Sequence, residues 1–200
     1  ATRTRCDLIA MSTVGISFRD GFLGSVAEGV LHSSRLPVLT VSPAKAEEYG
    51  QGVISRIVAP LDDSDLAETV LPYVEYTARK LGVEILLVRV VKPIHMFWMD
   101  ELPTGLEQEQ RRVNQDARNY LNSVEERLTS HGLNVKSRVL EGHSVTALSE
   151  LAHELTNELI TLATHGRAGV RRWTLGSVAA ALGKAAGEPV LIIPPAEDAD

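Results

Sequence analysis

The residues able to do chemistry in this chain collect at two places. The first is Leu159 to Ser177, LITLATHGRAGVRRWTLGS. Its opening, Leu159 to Ala163, is a short apolar run that suits a buried strand. His165, Gly166 and Gly169 break the run, with Arg167, Arg171 and Arg172 around them. Gly176-Ser177 then leads into an alanine-rich segment of helical character. Glycines let a backbone approach a ligand closely, and the first N–H groups of a helix point outward unpaired. Ser177 adds a hydroxyl at that mouth. The chemistry expected of this strand, loop and helix start is anion binding, although an ordinary surface loop fits the same pattern. The second place is Pro60-Leu61-Asp62-Asp63-Ser64, where another apolar run ends. Asp65 and Glu68 have the spacing of a capping box, which leaves the Asp62 carboxylate available to a ligand.

The spacing carries a resemblance. Ala163, two residues, Gly166, nine residues and Gly176-Ser177 resembles the nucleotide loop of the ATP-binding universal stress proteins, G-x2-G-x9-G-[ST]. Ala163 departs from that pattern and sets a methyl group where the first glycine stands. The resemblance implies that Ala163, His165, Gly166, Gly176 and Ser177 take the phosphates of ATP. It also implies that Pro60, Asp62 and Val90 form the nucleoside side, with Val90 against adenine. On the same ground Asp62 accepts from ribose hydroxyls or holds a magnesium ion that arrives with the nucleotide. A plain core role accounts for Val90 equally well. Arg167, Arg171 and Arg172 either add charge to the site or form a solvated basic loop.

Other chemistries lack their residues. Gly176 to Lys184 has six residues between its glycines, not the four of a P-loop, and alanine follows the lysine. The sequence has no G-x-S-x-G elbow. His143, His153 and a single cysteine make no zinc pattern. His165 has no orienting carboxylate in sequence, so it is not assigned as a general base. No catalytic residue is assigned.

The elements that must position these residues alternate strand and helix. Val53–Leu61, Glu84–Val91, Val135–Leu140, Leu159–Ala163 and Pro189–Ile193 read as five strands. A helix from Ala67 to Leu81, kinked at Pro72 and closed by Gly82, follows the first. Val113–Leu128 is a second helix, a third is capped by Ser144, and a fourth runs from Ser177 to about Ala186. This is an α/β fold, an open parallel sheet with helices on both faces. The resemblance implies the strand order 3-2-1-4-5, which brings Asp62 and the glycine loop to one edge of the sheet. Ile94 to Met99 forms an apolar loop, expected to pack as a lid, on a partner or on its own domain.

An internal repeat divides the chain. Gly24-Ser-Val-Ala matches Gly176-Ser-Val-Ala, and Leu36-Pro-Val-Leu matches Glu188-Pro-Val-Leu, both 152 residues apart. Residues 1–43 thus read as a strand–helix–strand remnant of a first copy, 44–52 as a linker and 53–195 as a complete second copy. Ser12, Val14 and Gly15 replace the loop residues in the first copy, so no nucleotide site is expected there. Its strands, Leu8–Met11 and Val38–Val41, need a sheet edge to pair with. The resemblance covers the second copy in full and the first in part.

Composition narrows the partners. Hydrophobic residues are 44% and charged residues 23%, ordinary for a soluble chain. A net charge of −6 argues against nucleic acid or an anionic membrane as partner. One cysteine fits a reducing compartment, and with no leader or spanning run the cytoplasm is expected. Three functions follow. The first is a stress-related module that binds ATP, with magnesium, and forms a homodimer through edge strands. The second is a nucleotide-free pairing module of the same family. The third is a slow ATPase, which lacks a visible base or nucleophile.

Overall fold

The computed structural model describes residues 6–13, 25–42, 54–94, 104–164, 178–179, 181–182 and 189–194. Among the described residues these elements follow one another: β1 (Ile9–Ser12), α1 (Ser25–Ser33), β2 (Val38–Val41), β3 (Arg56–Pro60), α2 (Asp65–Glu68), α3 (Leu71–Leu81), β4 (Glu84–Val91), α4 (Thr104–Ser130), β5 (Val135–Glu141), α5 (Ser144–Glu154), β6 (Glu158–Ala163) and β7 (Val190–Ile193). Among the described residues the strands form one seven-stranded sheet in the order β1-β2-β7-β6-β3-β4-β5. The expectation is a five-stranded sheet, with the remnant's strands pairing at its edge or with a second molecule. The count and full order differ because β2 adds onto the edge of β7, antiparallel, and carries β1 with it. Every other pairing is parallel. The linker at 44–52 lies outside the described residues.

Alternation along the strands sends side chains to two faces. Ile57, Ala59, Ile85 and Leu87 pack against Val70, Val74 and Ala78 around α3 and against Leu121, Val124 and Leu128 of α4. Val58, Leu86, Val88, Ile160 and Leu162 pack against Leu148, Leu151 and Ala152 of α5, together with Ala27, Leu31, Ala179 and Leu182. Strands covered on both faces lose the polar alternation of a half-exposed sheet.

Local chemistry moves several boundaries. The first long helix is two pieces, α2 and α3, so Pro72 lies in the opening turn of α3 and causes no kink. A missing N–H is tolerated there because the first helical N–H groups have no intrahelical acceptor. Gly82 closes α3 at φ 68°, its N–H donating to the Ala78 carbonyl at 2.8 Å. His143, not Ser144, is the N-cap of α5, without a side-chain cap bond. α4 begins at Thr104, well ahead of the apolar stripe. Its first turns are polar and carry an i,i+4 pair, Arg111 on Glu107 at 3.2 Å, which leaves no apolar period to read.

The two segments matched in sequence pair their strands in the same register. Ile9, Ala10, Met11 and Ser12 pair with Val38, Leu39, Thr40 and Val41. Ile160, Thr161, Leu162 and Ala163 pair with Val190, Leu191, Ile192 and Ile193 in the same way. The Ile9 N–H meets the Pro37 carbonyl and the Ile160 N–H the Pro189 carbonyl, each at 3.0 Å. Between β2 and β7, Leu39 faces Leu191, Val38 faces Ile192 and Thr40 faces Val190. Matched residues thus exchange partners about the Leu39–Leu191 pair, the pattern of a two-fold axis.

The amino end of the sheet is tied by charge. Glu84 accepts from Arg56 Nε at 3.0 Å and lies 2.7 Å from Lys136 Nζ. Lys136 first, then Arg56, holds the Glu84 carboxyl below the ordinary glutamate range, against burial. The folded state therefore favours the ionised form. That stabilisation is full above roughly pH 4.3 and is lost as pH falls through the lowered folded value. Glu84→Gln is expected to cost about 1 kcal/mol at neutral pH and to flatten the acid limb of a stability curve. Denaturant midpoints measured across that range check it, and parallel curves for the two proteins would contradict it.

Candidate functional site

β3 lies between β4 and β6, so three strands deliver their carboxyl ends to one edge. Pro60 pairs with Val88, and the Leu61 N–H continues the ladder to the Val88 carbonyl at 2.8 Å. Pro60, Asp62, Val90 and Ala163 all stand at this edge and all are half-buried. Val90 packs on the α5 face. Pro60 borders a crevice on that face with Val58, Leu148 and Ile160, about 10 Å³ in volume. That is room for about one water and no ligand. Ala163 packs against the opposite cluster, the one with Ile57, Leu191 and Ile193. Its methyl is thus accommodated by the core on the α3–α4 side. His165, Gly166, Gly176 and Ser177 lie outside the described residues, as do Arg167, Arg171, Arg172 and residues 95–99 of the apolar loop.

The turn after β3 differs from the capping box read in the sequence. Ser64 is the N-cap of α2, its Oγ accepting from the Ala67 N–H at 3.1 Å. Asp62 is engaged as well: Oδ1 accepts from the Ser64 N–H at 3.2 Å and from Ser64 Oγ at 2.5 Å. This is an Asx turn, which aspartate forms because its carboxylate reaches the amide two residues on. It fixes the Asp62 carboxylate at the strand edge. Asp63 adopts φ 69°, one of two positive values among described residues other than glycine, with Asn157.

Behind the turn lies a charged network. Arg89 Nη2 donates to Asp63 Oδ2 at 3.2 Å. The guanidinium carbon stands 5.2 Å from the centroid of the Tyr120 ring, within cation–π range. Tyr120 donates its hydroxyl to Glu68 Oε1 at 3.0 Å, and Arg127 donates to Glu68 Oε2 at 2.7 Å. Burial, and then the Glu68 carboxylate, push the Tyr120 phenol above its ordinary range, so it stays a proton donor. The sequence reading missed Asp63, Arg89 and Tyr120. Arg89 was visible as the one charge between Ile85 and Val91. Among the described residues no group of three or more His, Cys, Asp or Glu is placed to hold a metal. A magnesium ion at Asp62 would thus draw most of its ligands from a bound phosphate and water.

A mostly parallel sheet with helices on both faces defines an α/β fold, and in such folds ligands bind at the carboxyl edge of the strands. The model of the universal stress protein family matches residues 54–194. The chain therefore belongs to the universal stress protein family. The universal stress protein MJ0531 of Methanocaldococcus jannaschii is 26% identical over 151 residues, spanning 72% of this chain and 84% of the relative. A solved universal stress protein from Archaeoglobus fulgidus matches 95% of this chain at 24% identity and a TM-score of 0.70. This chain spans 63% of that protein's length. A universal stress protein solved in complex with cAMP matches 71% of this chain and 98% of its own, at 20% identity and TM-score 0.54. No helix among the described residues is long and apolar enough to cross a membrane.

Proposed function

We propose that this chain is a stress-related regulatory module that binds ATP, with magnesium, at the carboxyl edge of β3, β4 and β6. The observation that carries the reading is the meeting of Pro60, Asp62, Val90 and Ala163 at that edge. Asp62, held by Ser64, is a fixed acceptor for ribose hydroxyls or a ligand for the nucleotide's metal. Val90 offers an apolar surface to adenine. His165, Gly166, Gly176 and Ser177 are assigned to the phosphates by their spacing. The relative solved with cAMP supports an adenine nucleotide as the ligand class. Slow hydrolysis of the bound nucleotide is compatible with this reading and is not required by it. Displacement of a fluorescent adenine nucleotide by ATP tests it, and failure of ATP to displace would remove it.

The tandem reading is part of the same proposal. Residues 1–43 are the tail of a first copy, 44–52 the linker and 53–195 the second copy. Equivalent positions support this by their burial. Leu8 is 45% exposed where Leu159 is 4% exposed. Val26 is 73% exposed where Val178 packs into the core. In the second copy β3 and α5 provide that cover. The pairing-module alternative draws on the β2–β7 contact, which already occupies the β7 edge. A homodimer through edge strands would then use β1 or β5. We place the protein in the cytoplasm, where a single thiol stays reduced.

A further inference from the structure

Two local rules are broken side by side at the turn after β3. Asp63 holds a left-handed backbone at φ 69°, a conformation natural to glycine and uncommon for other residues, although aspartate takes it more readily than most. Arg89 sits 9% exposed inside an apolar strand. Its Nη1 is buried and has no hydrogen-bond partner among the described residues, which a leucine or valine at that place would avoid. Departures from local preference that cluster beside a site are signs of function.

The geometry supplies the function. The Asp62 carboxylate is turned to Ser64, and the Asp63 carboxylate to Arg89. The guanidinium is itself seated on Tyr120, whose hydroxyl is tied to Glu68. We propose that Arg89 is a positioning residue that pins Asp63 in its left-handed geometry and thereby holds Asp62 in the orientation a nucleotide needs. The proposal rests on the reading of Asp62 given above. Arg89 also neutralises Asp63, so that two adjacent carboxylates do not both repel an incoming phosphate. Through Tyr120 and Glu68, the seat of the guanidinium belongs to α4 and α2. A shift of α4 therefore reaches Asp62 by contact.

The Ser64 amide reports the Asp62 geometry without any ligand, because it donates to Oδ1. In Arg89→Met its hydrogen exchange is expected to accelerate roughly tenfold, and ATP affinity to fall by about the same factor. Arg89→Lys keeps a cation over Tyr120 and is expected to retain most of both. Adding Asp63→Gly to Arg89→Met restores the Ser64 protection, because glycine takes φ near 69° unaided. A general loss of packing would not be rescued in this way. Unchanged Ser64 exchange in Arg89→Met, or no recovery in the double variant, overturns the proposal. Should Arg89→Met fail to fold, Asp63→Ala is compared with Asp63→Gly. Ser64 exchange faster than wild type in the alanine variant, where the carboxylate held by Arg89 is gone, and recovered in the glycine variant supports the pin, and exchange at the wild-type rate in the alanine variant overturns it. If Ser64 responds as expected while the wild-type chain takes no ATP, the nucleotide reading fails and the pin stands.

Discussion

Leu39→Pro is expected to release the whole N-terminal unit from the sheet. β2 lies between β1 and β7, so the Leu39 N–H faces a neighbouring strand on either choice of side. Proline deletes that donor and crowds the ladder, at a cost of about 3 kcal/mol or more in a central strand. Leu39 also stands opposite Leu191 at the centre of the two-fold-like contact. The remaining β2 pairs, Val38 with Ile192 and Thr40 with Val190, are too few to hold β1 and α1 in place. Hydrogen exchange at Thr40 and Val41 should become fast while β3 and β4 remain protected. The bared β7 edge should then pair with another chain, read as concentration-dependent mass by sedimentation. Slow exchange in β2 with an unchanged mass would show that the β2–β7 pairing does not fasten the unit.

Asp62→Ala is expected to lower ATP affinity about 10- to 100-fold, the range for a charged acceptor lost from a half-buried site. The same change removes the Asx turn onto Ser64, so it also loosens the start of α2. Asp62→Asn separates the two effects. An amide oxygen still accepts from Ser64 but carries no charge. Affinity near wild type in the asparagine variant would assign Asp62 to the ribose hydroxyls. A loss as deep as the alanine variant's would assign it to charge, and thus to the metal. ATP affinity unchanged in Asp62→Ala would remove the residue from the site.

Much of this was legible in the sequence because the relevant signals are local. β4 reads as an apolar eight-residue run, and a buried strand is what it forms. Gly82 announced its turn because only a left-handed cap fits between α3 and β4. Two short matches, one of four residues and one of three, suggest a repeat, and β1 on β2 and β6 on β7 share one register at those positions. What stayed hidden depends on residues distant in the chain. Asp63 pairs with Arg89 and Tyr120 with Glu68, contacts that no periodicity encodes. The capping box was misread by one position because Ser64, Asp65 and Glu68 satisfy two rules at once, and the hydroxyl took the cap. The antiparallel join of β2 to β7 was open between this chain and another molecule, since an edge strand specifies pairing and not the partner. The start of α4 was missed because its stability there comes from charge pairs on an exposed surface.

Calorimetric titration of nucleotide-stripped protein with magnesium ATP bears most directly on the account, with Gly166→Val as the companion. Binding on the order of micromolar in the wild-type chain, abolished by the valine, is the predicted result. A branched side chain at Gly166 would fill the space that the loop backbone needs to approach a phosphate. No binding by the wild-type chain would contradict the account and leave the β2–β7 pairing module as its replacement. Equal binding by both proteins would place the nucleotide somewhere other than the Gly166 loop.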